Sequence, residues 1–492
     1  MDHHTMNTTS IFYAKVEMFS NATPEAAQAQ PLFAARKKIY MRPVKGPFNN
    51  WRWVFVWLTQ IVFYLTPWLQ WNDRQAVLFD LTERKFYIFG LVLWPSDIVY
   101  MAGLLIICAL ALFLFTAIAG RLWCGYSCPQ TVYTEIFMWI ERKIEGDRVA
   151  QMRLDKAPLS ASKILKKGTK HLLWGLFALW SGYTLVAYFT PIRELMSNTL
   201  SGSLSSGEIF WIFFYGFMMY LFAGWMREQV CKYMCPYARF QSVMFDPDTL
   251  IVTYDEQRGE SRGARKKGID PRSVGKGDCI DCGVCVDVCP TGIDIRNGLQ
   301  MECIGCGACI DGCNDIMDKM NYPRGLIRYD TENGVANKFT RQQLWQRVVR
   351  GRVLIYAAIL LAMVIGMAYS LSQRGALKMS IERDNRSVAR LLESGQVENV
   401  YRLKLSNADE KPHEIELSAH GMNSINVAGG GKLTLAPLST ETIVIKLQTD
   451  PAKARAAGAT SGSNNISLHL KSPEALDEPL SIDTVFSLPK QQ

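Results

Sequence analysis

The sequence predicts a polytopic α-helical membrane protein with a cysteine-rich soluble insert and an all-β C-terminal domain, on three observations. Five charge-free apolar tracts meet or approach the ~20 residues needed to cross a bilayer. Eight of the thirteen cysteines fall in two short runs. Beyond residue 375 cysteine disappears and Tyr401 and Phe486 are the only aromatics. At 492 residues the chain has room for two to four ordinary domains, and this uneven composition sets where they divide.

The tracts run from Trp53 to Trp71, Ile98 to Gly120, Leu172 to Ile192, Ile209 to Met226 and Val353 to Gln373. A sixth, Phe86 to Trp94, is too short to cross and is stopped by Pro95 and Asp97. It reads as interfacial or re-entrant, with packing against the bundle as the alternative. Lys and Arg in flanking loops are retained on the cytoplasmic side and so set orientation. Arg36, Lys37, Lys38, Arg42, Lys45 and Arg52 precede the first tract, and ten more basic residues lie between Arg121 and Lys170, among them Lys163, Lys166 and Lys167. The loops after the first and third tracts carry only Arg74, Arg84, Lys85 and Arg193.

That asymmetry predicts a bacterial inner-membrane protein with its N-terminus inside and its C-terminus outside. Residues 1–50 form a cytoplasmic N-terminal segment, 51–226 a four-helix membrane region, 227–351 a cytoplasmic insert, 352–374 a fifth transmembrane helix and 375–492 a periplasmic domain. The first 50 residues are polar and show no cleavable leader, so the first helix is expected to direct insertion.

The insert holds Cys279, Cys282, Cys285 and Cys289 followed by Pro290, then Cys303, Cys306, Cys309 and Cys313. Spacings of three let three thiolates of one tight loop converge on an iron-sulfur cube, with Gly283, Gly305 and Gly307 easing the backbone. In a two-cluster arrangement the fourth thiolate comes from the other run. The expectation is two [4Fe-4S] clusters in a ferredoxin-like domain at about 270–325. One is held by Cys279, Cys282, Cys285 and Cys313, and the other by Cys289, Cys303, Cys306 and Cys309. Zinc would use paired knuckles, and an uninterrupted CxxCxxC suits a cube better. Asn314 stands where the motif has proline, which touches the local turn and not the ligands. Such cysteines call for a reducing compartment.

Two further pairs are alike: Cys124 and Cys128 before Pro129, and Cys231 and Cys235 before Pro236. Helical Cx3C spacing puts both sulfurs on one face, and the proline discourages continuation, so each pair is expected at a helix end near the cytoplasmic surface. Four thiols at one depth make a candidate redox or soft-metal site suited to Cu(I), with Met226 and Met234 as nearby thioethers. The competing reading is four small buried hydrophobes in a helix interface. Trp123, Tyr126, Tyr233, Tyr237 and Arg239 surround the pairs. Cys108, alone in mid-helix, is read as core.

The histidines are His3, His4, His171, His413, His420 and His469, and only His171 touches an apolar tract, at its edge. A membrane haem with paired histidine ligands is therefore not expected. No Gly-rich dinucleotide fingerprint follows a strand, which leaves NAD or FAD without support. The net charge of +9 sits beside the apolar tracts and not on a separate basic domain, so nucleic acid is not an expected partner. The stretch Arg258 to Lys276, with Arg262, Arg265, Lys266 and Lys267, either docks an acidic donor or anionic lipid or simply retains the segment inside. The segment Arg341 to Arg352 reads as a topology signal.

Beyond Arg374, short alternating runs (Val400 to Leu405, Glu414 to Leu417, Thr442 to Leu447, Ile466 to Leu470, Ile482 to Leu488) predict a sandwich of about seven strands. Gly429, Gly430, Gly431 and Lys432 resemble a phosphate loop, but the rest of that motif is missing, and a hairpin turn is expected.

Taken together, the five helices, the units WCGYSCPQTVYTEIF and CKYMCPYARFQSVMFD, the paired cluster runs and the β-rich tail resemble one family from about Arg42 to the end. It is the cytochrome c oxidase accessory protein family CcoG, also called FixG or RdxA. The resemblance implies an immunoglobulin-like tail at about 380–488 and cluster ligation by the eight run cysteines. It also implies reduction of Cu(II) to Cu(I) in the copper delivery route for assembly of a cbb3-type oxidase. For the Cys-x3-Cys-Pro pairs it offers a position, and their role in copper binding is inference. Expected partners are a cytoplasmic electron donor, a copper transporter or chaperone, cbb3-type oxidase assembly factors, membrane lipid and a second copy of the chain. Two rival readings stay open: a quinol-linked electron conduit similar to membrane polyferredoxins, and a redox-sensing assembly scaffold.

Overall fold

The computed structural model describes residues 38–489 apart from 376, 384–388, 423, 430 and 473–478. Residues 1–37, with His3, His4, Arg36 and Lys37, and Gly430 lie outside the described residues.

Among the described residues, three helices are long and apolar enough to cross a membrane: Ile98–Ala119, Ser206–Met226 and Gly351–Ser372. Large apolar side chains such as Leu105, Phe213, Phe217, Ile355 and Ile365 are exposed on them, a contiguous surface that suits lipid. Cys108 is exposed on the first of these helices and not in the core, because that helix packs through only part of its circumference.

The other two expected tracts differ from the reading, for physical reasons. The first is helical only over Pro47–Leu65, then passes through the turn Thr66–Trp68, carrying Pro67, into the short strand Gln70–Trp71. The third forms the distal part of a 26-residue helix, Ala161–Val186, whose proximal turns carry Lys163, Lys166, Lys167 and Lys170. Pro191 ends that tract and caps a separate helix, Ile192–Ser201. Ala161–Val186 therefore joins a charged end to an apolar end.

The Phe86 to Trp94 piece is extended. It belongs to a three-stranded antiparallel sheet of Val77–Asp80, Lys85–Ile88 and Leu91–Leu93. Aromatic and β-branched residues favour that pleated surface. The Phe79 amide donates to the Tyr188 carbonyl at 2.7 Å, which fixes the sheet at the end of the Ala161–Val186 helix.

The insert is built on the strand pair Ile251–Tyr254 and Ile327–Asp330 and on the helix Ala308–Met320, around Val252, Ile295, Met317, Leu326 and Ile327. It docks on the first helix by an intersegment cap. Gly46, the N-cap of Pro47–Leu65, has no side chain to offer, and the Asp311 carboxylate accepts from the Asn49 amide at 2.8 Å in its place.

The C-terminal domain is a sandwich of two antiparallel sheets. One orders Lys432–Leu435, His413–His420, Gly462–Lys471 and Leu480–Leu488. The other orders Asn426–Val427, Thr440–Thr449, Val397–Asn407 and Leu377–Arg383, with Arg390–Leu391 added to Val397–Asn407. Tyr401, Leu403, Leu447, Leu468 and Phe486 fill the space between them. The glycine turn is not a hairpin, since it carries the chain from Asn426–Val427 in one sheet to Lys432–Leu435 in the other. A short helix, Pro451–Ala456, interrupts the strands and has no counterpart in the sequence reading.

Candidate iron-sulfur and thiol sites

Each cysteine run begins as a loop and then enters a helix, and the reversal falls on glycine. Gly283 (φ 67°) and Gly307 (φ 71°) sit in the left-handed region as N-caps of Val284–Asp287 and Ala308–Met320. The result is two neighbouring cavities. Cys279, Cys282, Cys285 and Cys313 line the first, of about 350 Å³, together with Ile316, Met317, Leu326 and Ile327. Cys289, Cys303, Cys306 and Cys309 line the second, of about 340 Å³, with Thr291, Ile293, Ile304 and the edge of Cys285.

Each cavity thus takes three thiols from one run and a fourth from the other. Among the described residues no three His, Cys, Asp or Glu side chains converge closely enough to grip a single metal ion. Four thiols spread around an apolar void fit a body the size of an iron-sulfur cube, and fit a mononuclear zinc knuckle poorly. Burial pushes the Cys285 thiol up to about 11 and those of Cys303 and Cys313 to about 12. Cys285, Cys303 and Cys313 are therefore protonated at neutral pH when free, so their ligation releases protons.

The two Cys-x3-Cys-Pro units share one local design. Cys124 lies on the short helix Leu122–Tyr126, and Cys231 on the wide turn Val230–Met234. Cys128 and Cys235 are the N-caps of Pro129–Glu145 and Pro236–Met244, each with its proline at the first helical position. The proline therefore opens the next helix as well as closing the previous one, since its missing N–H is one that has no helical partner there. Backbone N–H groups of Gln130 and Thr131 point at the Cys128 sulfur.

The structure brings all four thiols into one neighbourhood, each within range of the others' charge and with Arg121 beside them. Burial pushes Cys124 and Cys231 up to about 12. The Cys124 thiol donates to Gln241 Oε1 at 3.3 Å, and Thr131 Oγ1 donates to the Cys124 carbonyl at 2.6 Å. Met234 is exposed and Met226 half-buried.

This group abuts the second cysteine cavity. A Cβ on Gly125 would lie 2.8 Å from the Cys306 Cα and from the Ile304 carbonyl, so only glycine permits that approach. Arg121 donates to the Met301 carbonyl and reaches the field of Cys303. A third cavity, lined by Cys231, Gln130 and Arg227, shares Thr291 and Ile304 with the second cysteine cavity. Sequence reading missed Arg121, Gln241 and Gly125. Arg121 was legible only as a topology charge, and nothing marks the other two before the chain folds.

The basic stretch is largely satisfied within the insert. Arg258 pairs with Asp278 at 2.5 Å, Arg262 with Glu260 at 2.8 Å, and Arg265 donates to the Tyr322 hydroxyl at 2.8 Å, while Lys266 and Lys267 stay exposed.

Residues 226–332 match a family described as a 4Fe-4S dicluster domain, and residues 101–146 one described as a 4Fe-4S binding domain. With the apolar helices, these define the class: a membrane iron-sulfur electron-transfer protein. Residues 367–489 match the IG-like fold at the C-terminal of FixG. The chain is similar to the protein RdxA of Cereibacter sphaeroides, at 38% identity over 85% of this chain and 90% of the relative. It is also similar to the nitrogen fixation protein FixG of Rhizobium meliloti, at 36% identity over 91% and 93%. A more distant relative is the ferredoxin-type protein NapH of Escherichia coli, at 23% identity over 50% and 82%. The chain belongs to the FixG/RdxA family.

Proposed function

We propose that this chain is a cytoplasmic-membrane Cu(II) reductase that supplies Cu(I) for assembly of a cbb3-type cytochrome c oxidase. The observation that carries the reading is the four-thiol group of Cys124, Cys128, Cys231 and Cys235 set against the second cysteine cavity at Gly125. Cys279, Cys282, Cys285 and Cys313 hold one [4Fe-4S] cluster, and Cys289, Cys303, Cys306 and Cys309 the other. When bound, these clusters supply single electrons. Copper is the substrate. Thiols of this group bind it no more than two at a time and favour its reduced form, because Cu(I) prefers soft sulfur ligands, and Arg121 offsets part of the negative charge that thiolates bring. Product then passes most easily to another soft-ligand carrier, a copper transporter or chaperone.

Five spans, a cytoplasmic N-terminus and insert, and a periplasmic sandwich complete the reading. Supporting it, the basic segments pack on the insert's side of the molecule. The Arg42 amide donates to the Asp287 carbonyl at 2.8 Å, Arg148 pairs with Asp287 at 2.9 Å, and Arg52 with Glu135 at 2.7 Å.

A second reading, quinol-linked electron entry, is favoured by one feature. A cleft of about 800 Å³ is lined by His171, Trp174, Trp225, Lys170, Glu141 and Arg227, and Arg227 also lines the cavity that holds Cys231. The two readings separate when Cu(II) is added anaerobically to reduced, desalted protein while cluster absorbance and a Cu(I) chelator are followed. Cluster oxidation matched by Cu(I), and weakened when all four thiols become serine, is the expected result. Clusters indifferent to Cu(II) yet reduced by a quinol within turnover times would replace the first reading with the second.

A further inference from the structure

The outward face of the four-stranded sheet carries a histidine pair that neither the thiol group nor the cysteine cavities use. His420 ends the strand His413–His420, and His469 lies on its neighbour Gly462–Lys471. The register sets Ser418 opposite His469 and Ser467 opposite His420, so the histidines are diagonal neighbours on one face. Their ring centroids are 4.5 Å apart with planes at 71°. His420 is exposed and His469 half-buried. Each ring is steadied from its own strand, with Ser418 Oγ 3.2 Å from His420 Nε2 and Ser467 Oγ 3.1 Å from His469 Nε2.

We propose that His420 and His469 form a two-imidazole site for a late first-row divalent metal ion, Cu(II) foremost. Two nitrogens bound to one ion at ~2.0–2.1 Å are roughly 3–4 Å apart, a spacing that rings at this separation present with small side-chain rotations. Affinity of nitrogen sites for these ions peaks at Cu(II). The serine hydroxyls occupy Nε2 and leave Nδ1 of each ring for the ion, which is how outer partners ordinarily orient a histidine ligand. No third His, Cys, Asp or Glu side chain joins the pair among the described residues, so the remaining positions fall to water. Open coordination of that kind suits capture and release of an ion better than a closed structural site. The inference is independent of the reductase reading, because nitrogen ligation in the sandwich and reduction at thiols are different observables.

The test titrates Cu(II) into the full-length oxidised chain, with Cys124, Cys128, Cys231 and Cys235 changed to Ser and His3 and His4 to Ala, so that these residues do not compete. Pulsed EPR of the bound ion should show about one Cu(II) carrying two imidazoles. His420→Ala and His469→Ala should each leave a single imidazole with affinity lowered about tenfold or more, since the chelating second ligand is gone. The double variant should lose the signal. His420→Gln and His469→Gln keep side-chain bulk on the sheet and should lose it equally. Two-imidazole ligation that survives the double variants, or its absence in the parent, overturns the proposal.

Discussion

Glu141 shows how much a single buried carboxylate organises. Its side chain is 3% exposed and meets Arg227 at 2.7 Å, Lys170 at 3.4 Å and Lys38 at 3.5 Å. Burial alone would raise its pKa, but the three cations outweigh that and hold it at about 2. The folded value lies below the ordinary 4.5, so the stabilisation is complete above about pH 4.5 and is lost as pH falls toward 2. Its size is on the order of 3 kcal/mol, at ~1.4 kcal/mol per tenfold change in proton affinity. Glu141→Gln should therefore lower the thermal midpoint at pH 7 and flatten its decline between pH 5 and 3. An equal decline in variant and parent, followed by tryptophan fluorescence, would show that the carboxylate contributes nothing. The sequence offered Lys38, Lys167 and Lys170 as topology signals, and that was all it held. Their pairing with Glu141, Glu145 and Asp155 exists only after distant segments meet. The cysteine runs were easier to read, because short covalent spacing forces their thiols toward a common void. If the fourth ligands are exchanged between runs, Cys282→Ser and Cys313→Ser should abolish the same cluster EPR signal, and Cys289→Ser the other. Each should reduce iron from about eight to about four per chain. Cys282→Ser and Cys289→Ser abolishing one shared signal would reverse the assignment.

Among the elements, glycine and proline explain where sequence reading succeeded and where it slipped. Ile98–Ala119 and Gly351–Ser372 were legible to within a residue or two, because nothing charged or rigid interrupts them. The first and third tracts were read past Pro67 and Pro191, where hydropathy continues but the backbone turns. Close helix approach was not legible at all. A Cβ on Gly182 would overlap the Ile212 carbonyl, and one on Gly216 would lie 3.2 Å from the Ala178 carbonyl, so two glycines let Ala161–Val186 and Ser206–Met219 meet backbone to backbone. Gly182→Val should wedge this pair apart at a cost of about 1–3 kcal/mol, the usual range for overpacking. Thermal unfolding in detergent should show the loss, and Gly175→Val, at a site open around its Cβ, should show little. Equal effects at the two positions would mean that helix propensity, not the close contact, sets the stability.

The whole molecule poses the question of what the sandwich does for the rest. Among the described residues, charged and polar contacts tie it to the membrane part. Asp97, with a side chain 1% exposed, holds Arg374 at 2.6 Å and also Lys378, Glu410 pairs with Arg74 at 3.1 Å, and the Leu438 carbonyl accepts from Lys85 at 3.1 Å. Its hydrophobic core is its own and shares no residue with the insert's. The cysteine cavities and the four-thiol group draw on residues 121–327. A sandwich with a core of its own is thermodynamically separable from the insert, so its removal should leave the chemistry of the insert. Deleting residues 380–492 should then leave Cu(II) reduction by membranes close to the full-length rate. The deletion removes Glu410 and Leu438, so the Val77–Leu93 sheet should lose the contacts that Arg74 and Lys85 make with them, visible as faster hydrogen exchange there. Oxidase assembly lost while reduction persists would assign the sandwich a docking role. Loss of both, with the clusters still present by EPR, would instead mean that the Glu410 and Leu438 contacts influence the geometry at the thiols.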